Sequence, residues 1–195
     1  MRGKPEIFIL VLVLGLGFVF KNEIEVAVLS DGDWFLKYDS LIKAKSKKYN
    51  LPWKWIKAVA LNESRLGTAS SVAWGLDHPS DIEKSKSSDG KSWGLMQLTL
   101  PTARELVGAP ITASYLNNAE NSLELGARYL SQMYNLGLKQ SVVPAKEFMF
   151  RAYNGGPSFL KTNMGKALTP IYYAKTVTNI GLINSRQGGD EMEIG

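Results

Sequence analysis

Apolar positions recur at helical spacing along most of the chain, and no stretch of sustained alternation argues for a sheet. Trp53, Ile56, Val59, Ala60 and Glu63 fall on one stripe of a helix that Asn50 can cap, Pro52 can open and Gly67 can end. Pro101 opens a second helix that closes near Gly108. A third spans about 118–135, with Leu123, Ala127, Leu130 and Met133 as its core face and Gly137 as its stop. A fourth covers roughly 144–153 and a fifth 169–180. These elements predict a mainly α domain.

Two segments break the pattern. An unbroken apolar run at 7–20 follows Met1, Arg2 and Lys4 and is closed by Lys21. Fourteen residues suit the core of a signal peptide better than a full membrane span, which needs about 20. No clean small-x-small cleavage site follows, so an uncleaved anchor is the other reading. Either way the expectation is an exported or membrane-anchored protein whose domain faces the periplasm or cell wall. The second segment, 66–92, is rich in Ser, Asp, Lys and Gly and lacks periodicity, as functional or flexible loops do. The expected organisation is a signal or anchor with its linker at 1–33, a catalytic domain at 34–182 and a flexible tail at 183–195.

Composition removes several chemistries. The 195 residues include no cysteine and one histidine, His78, which precedes a proline in a polar stretch and reads as a solvated loop residue. Disulfides, a Cys nucleophile and multi-histidine zinc sites are therefore excluded, and no metal or cofactor is expected. The net charge of +5 is dispersed. Its one dense run, Lys43, Lys45, Lys47 and Lys48, reads as a solvated helix face rather than a nucleic-acid site, because no aromatic residues interleave with it.

Glu63 is the candidate for chemistry. It lies on the apolar stripe one turn after Val59 and Ala60. Burial disfavours the ionised form and raises a carboxyl pKa, as a general acid near neutral pH requires. Periodicity alone equally allows a buried glutamate paired with a cation, or a stripe that has surfaced at the helix end.

Downstream motifs change the balance. Glu63-Ser64, then Gly94-Leu95-Met96-Gln97, then Ala152-Tyr153-Asn154-Gly155-Gly156-Pro157 occur in that order. This arrangement resembles the soluble lytic transglycosylase catalytic domain, a relative of goose-type lysozymes. Asn121, Gly126, Tyr129 and Leu130 are similar to a further helix of that family, and Tyr173 followed by Val177 to its late tyrosine.

The resemblance implies a lysozyme-like helical fold with a glycan-binding cleft, peptidoglycan strands as substrate, Glu63 as catalytic residue, and Ser64, Met96, Gln97, Tyr153, Asn154 and Tyr173 as substrate contacts. It implies no second carboxylate, in contrast to the usual glycosidase pair. Bland roles compete at several positions: core for Met96, a turn or helix stop for Asn154, a bond along its own helix for Ser64, scaffold for Asn121 and Tyr129.

The chain departs from the pattern between Glu63 and Gly94, where the spacing is long. There Trp74-Gly75-Leu76-Asp77 is similar to the goose-type lysozyme Gly-Trp-Gly-Asp segment, displaced by one position. Asp77 is thus the candidate second carboxylate of a hydrolase, while the family's other acidic position is Thr99 here. A muramidase using Glu63 with Asp77 and a non-catalytic wall-binding assembly protein are the alternatives to a lytic transglycosylase. A membrane through the N-terminal segment, a secretion system or a phage virion would each suit such a domain as partner.

Overall fold

The computed structural model describes residues 33–67, 90–140 and 143–188. The apolar run at 7–20, His78, Asp77 and the chain beyond 188 lie outside the described residues. Among the described residues no helix is long and apolar enough to cross a membrane. The compact unit begins at Trp34. After a 3-10 turn at Asp33–Phe35 come α1 (Asp39–Tyr49), α2 (Trp53–Ser64), β1 (Ser92–Trp93), β2 (Leu98–Thr99), α3 (Leu100–Val107), α4 (Ala113–Asn117), α5 (Ala119–Gln140), α6 (Ala145–Gly155) and α7 (Asn163–Gln187). The architecture is mainly helical, as the periodicity predicts.

Asn50 takes the left-handed conformation, φ 50°, and its N–H returns to the Ser46 carbonyl. It therefore closes α1 instead of capping the next helix, a role that asparagine's tolerance of positive φ permits. Pro52 is the residue preceding α2. Burial on α2 is not confined to one stripe: ten of its twelve residues are buried, because α1, α5 and α7 pack around it. Two of the ten are lysines with polar partners. Lys54 donates to Asn184 Oδ1 at 2.7 Å and to the Gly188 carbonyl at 2.8 Å. Lys57 donates to Asp39 Oδ1 and Gln187 Oε1, both at 2.6 Å, and burial holds its pKa below the ordinary lysine value despite Asp39.

The helix ends also differ from the sequence pattern for identifiable reasons. Gly137 does not stop α5. It sits inside the helix where a Cβ would come within 3.0 Å of the Phe148 ring, so it permits the close approach of α6. Pro170 lies within α7, which starts seven residues before Pro170, at Asn163, under the Thr162 cap. A proline at 170 removes the helical hydrogen bond to the Lys166 carbonyl, and one residue earlier the Thr169 hydroxyl donates to the Gly165 carbonyl at 2.6 Å. At its far end α7 continues past the expected boundary at 182. Ile183 is fully buried, and Asn184 and Gln187 hold the two buried lysines, so the last turn belongs to the core.

The hairpin β1–β2 pairs Ser92 with Thr99 and Trp93 with Leu98. Two residues per strand are too few for alternation to show in sequence. Thr99 caps α3 by accepting the Thr102 N–H at 3.2 Å.

Candidate active site

Glu63 occupies the last turn of α2, and the chain leaves that helix under strain. Arg65 and Leu66 are both left-handed, at φ 50° and 55°, and Gln97 across from them is at φ 47°. Non-glycine residues in this region cost of order 1–3 kcal/mol each and persist only where the surroundings fix them. Here the fixing contacts are visible. Leu66 is buried, and the Ser64 hydroxyl accepts the Gly67 N–H at 3.1 Å while donating to the Leu95 carbonyl at 2.8 Å.

That last bond joins the Glu63-Ser64 pair to the Gly94–Gln97 turn between β1 and β2. Gly94, at φ 76°, is required twice over: any Cβ would lie 1.9 Å from the Leu116 carbonyl oxygen. Met96 is anchored at three points. Its N–H donates to Ser122 Oγ at 3.0 Å, its carbonyl accepts the Tyr153 hydroxyl at 2.7 Å, and its side chain fills the space beside Gly126. Tyr129 packs on Tyr153 with ring centroids 5.4 Å apart. The motifs scattered through the sequence therefore meet around one turn.

Most of them meet as framework. Ser64 and Met96 were expected to touch substrate, yet both are buried with their polar groups engaged, so they hold the turn instead. Gln97 is buried, and its amide donates to the Gly94 carbonyl at 2.8 Å, closing the same turn. Tyr153 is buried with its hydroxyl committed to Met96, which leaves no stacking face in the open. Asn154 is exposed in the last turn of α6 and is free to reach a ligand. Asn121 donates to the Tyr115 carbonyl at 3.2 Å, a scaffold role. Asp77 lies outside the described residues.

Tyr173 does not reach the carboxylate. Its ring lies 6.3 Å from that of Phe150. The neighbouring Tyr172 donates its hydroxyl to Glu63 Oε1 at 2.5 Å. The buried face of α7 explains the choice: Thr169, Thr176, Ile180 and Ile183 recur at spacings of seven, four and three, and Tyr172 falls in that register. Two of these positions are threonines, so the stripe is masked in a hydropathy pattern. Asn62, also missed, donates to Thr176 Oγ1 at 2.5 Å and accepts from Asn179 at 2.7 Å, pinning α2 to α7 beside the carboxylate.

The electrostatics follow from this enclosure. Burial pushes the Glu63 carboxyl up to about 7, against the opposing pull of the Tyr172 hydroxyl and the Lys175 charge. Burial, and then the nearby Glu63 charge, hold both Tyr172 and Tyr153 well above the usual phenol range, so each stays a neutral donor. Glu63 itself is only half-buried, so its carboxyl combines a desolvated setting with access from outside. A carboxyl of this kind can give up and take back a proton near neutral pH.

The sequence profile of the family described as Transglycosylase SLT domain matches residues 40–171, more than half of the chain. No curated protein sequence matches it significantly. Among solved structures the fold is similar to the lytic transglycosylase Slt of Pseudomonas aeruginosa, solved as an inactive mutant with glutamine in place of a glutamate. The TM-score is 0.61 at 20% identity, and the match covers 87% of this chain but 28% of that one. The chain thus spans less than a third of that neighbour's length.

Proposed function

Because the chain belongs to the transglycosylase SLT domain family, we propose that it is a peptidoglycan lytic transglycosylase with Glu63 as its acid and then its base. The observation that carries the reading is the Glu63 carboxyl, raised to about 7 by burial while bonded to Tyr172. In its protonated form Glu63 donates to the oxygen between N-acetylmuramic acid and N-acetylglucosamine as the muramoyl carbon–oxygen bond breaks. The resulting carboxylate takes the proton from the muramoyl 6-hydroxyl, whose oxygen bonds to the same carbon and closes a 1,6-anhydro ring. Glu63 ends protonated, and no water is consumed. The acetamido group of the sugar can shield the developing positive charge, which removes the need for a second carboxylate.

The surroundings support a single-acid scheme. Among the described residues, the groups that act on Glu63 are a neutral phenol and a lysine, neither of which is a base for water. That the Slt neighbour is inactive as a glutamate-to-glutamine mutant fits a mechanism resting on one titrating carboxyl. The proposed place of action is the cell-wall side of a membrane, reached through the apolar N-terminal segment.

Digestion of purified sacculi followed by mass analysis tests the reading. Anhydro-muramoyl ends, each lacking one water, are the expected products. Reducing ends alone would replace it with the muramidase in which Asp77 activates water, and binding without turnover would replace it with the wall-binding protein.

A further inference from the structure

The start of the compact unit carries a concentration of aromatic and cationic groups remote from the described site. Trp34 and Trp53 are both partly exposed, and Leu36 is 52% exposed. Lys43 Nζ lies 5.0 Å from the Trp53 ring, and Arg186 Cζ lies 4.9 Å from Phe35, whose edge meets Trp34. Lys47 follows Lys43 by one helical turn on the same exposed face of α1. The opposite side of α1 behaves differently: Lys45 and Lys48 are neutralised by Glu120 and Glu124. Among the described residues, Lys43, Lys47 and Arg186 have no carboxylate partner, while Asp39 between them is engaged by Lys57 and Gln187. After burial and Asp39, the charges of Lys43 and Arg186 also act on Lys57, so positive potential accumulates there.

We infer that this face docks on an anionic lipid bilayer. Indoles and an exposed leucine beside unpaired lysines and arginine are the chemistry of a membrane interface, where aromatic rings sit at headgroup level and each basic residue gains from surface charge. A purely ionic polymer would need the cations but not the indoles and Leu36. Chain length agrees. The apolar run at 7–20 precedes Asp33, the first described residue, by only 13 positions of sequence. The inference is independent of the reaction assigned to Glu63.

The test uses the full chain reconstituted in liposomes carrying brominated acyl chains, with phosphatidylglycerol in one set and phosphatidylcholine alone in the other. Quenching is compared at equal amounts of liposome-bound protein in the two sets, so the difference reports the patch. Tryptophan fluorescence is expected to be quenched more strongly in the anionic set. The excess quenching disappears at high salt, in Trp34→Phe/Trp53→Phe, and in Lys43→Glu/Lys47→Glu, with Arg186→Glu as a second charge variant. Cleavage of soluble glycan fragments stays unchanged in the charge variants. Equal quenching in the two sets, or excess quenching that survives charge reversal, overturns the inference. So does binding to isolated wall polymer that the same variants abolish while lipid quenching is unaltered.

Discussion

The hydroxyl of Tyr172 donates to the Glu63 carboxylate across 109 positions of sequence, joining the end of α2 to the middle of α7. The bond favours the ionised form and opposes the burial that raises the carboxyl to about 7. Its removal therefore drives the pKa higher. In Tyr172→Phe the fall of kcat/KM with rising pH, centred near pH 7 in the wild type, moves to higher pH, and the maximum drops about tenfold as the ionised acid loses a charge-assisted bond. Tyr173→Phe leaves that limb in place. A pH–rate series on the three proteins decides it; an unmoved limb in Tyr172→Phe would show that the bond does not govern the acid.

Glu63→Gln separates activity from stability. Loss of proton transfer lowers turnover by about 10²–10⁴-fold. The native carboxyl binds its proton more tightly than the unfolded one does, so wild-type stability falls as pH rises from about 4.5 to about 7. Glutamine escapes that penalty. Urea unfolding should find Glu63→Gln more stable by about 1–3 kcal/mol at pH 8 and little changed at pH 4.

Glu124 predicts the opposite pH dependence. Burial pushes its carboxyl up, but hydrogen bonds from Lys48, Tyr49 and Lys45 outweigh this and hold it at about 2. Its contribution is complete above about pH 4.5 and is lost as pH falls toward 2. With partial solvent screening, Glu124→Gln should cost about 1–2 kcal/mol at pH 7 and almost nothing at pH 2, measured by denaturation at each pH.

Two glycines at nearly the same φ separate strain from collision. Gly108, at φ 73°, has open space where a Cβ would go, whereas at Gly94 that atom meets the Leu116 carbonyl. Gly108→Ala should cost about 1–2 kcal/mol for the left-handed backbone alone. Gly94→Ala adds a clash with backbone and should cost about 3 kcal/mol or more, together with loss of activity as the turn beside Glu63 shifts. Equal melting temperatures for the two variants would refute the account of the turn.

Truncation after Leu182 tests the C-terminal boundary. It removes Ile183 from the core and takes Asn184, Gln187 and Gly188 away from two buried ammonium groups. Removing partners from buried charge costs about 3–5 kcal/mol, so the shortened chain should unfold cooperatively at a much lower temperature.

Sequence by itself determined the helical class and the main helices, and it singled out Glu63 as the candidate acid. Those features rest on local rules: apolar spacing along α5, proline and glycine at the ends of α3, and a carboxylate on the buried helix α2. The ordered motifs also announced which segments belong together. Only the tertiary structure decided what each motif residue does. Ser64, Met96, Gln97 and Tyr153 look like ligand contacts because they are polar or adaptable, but packing turns them inward to hold one strained turn. The choice of Tyr172 over Tyr173 depends on the register of α7, and that register is invisible while the helix is taken to start at Thr169 and buried threonines hide the core stripe. Glu63 is named by its place in the chain, but its proton affinity is set by neighbours from α7, because desolvation and hydrogen bonding depend on distance in space.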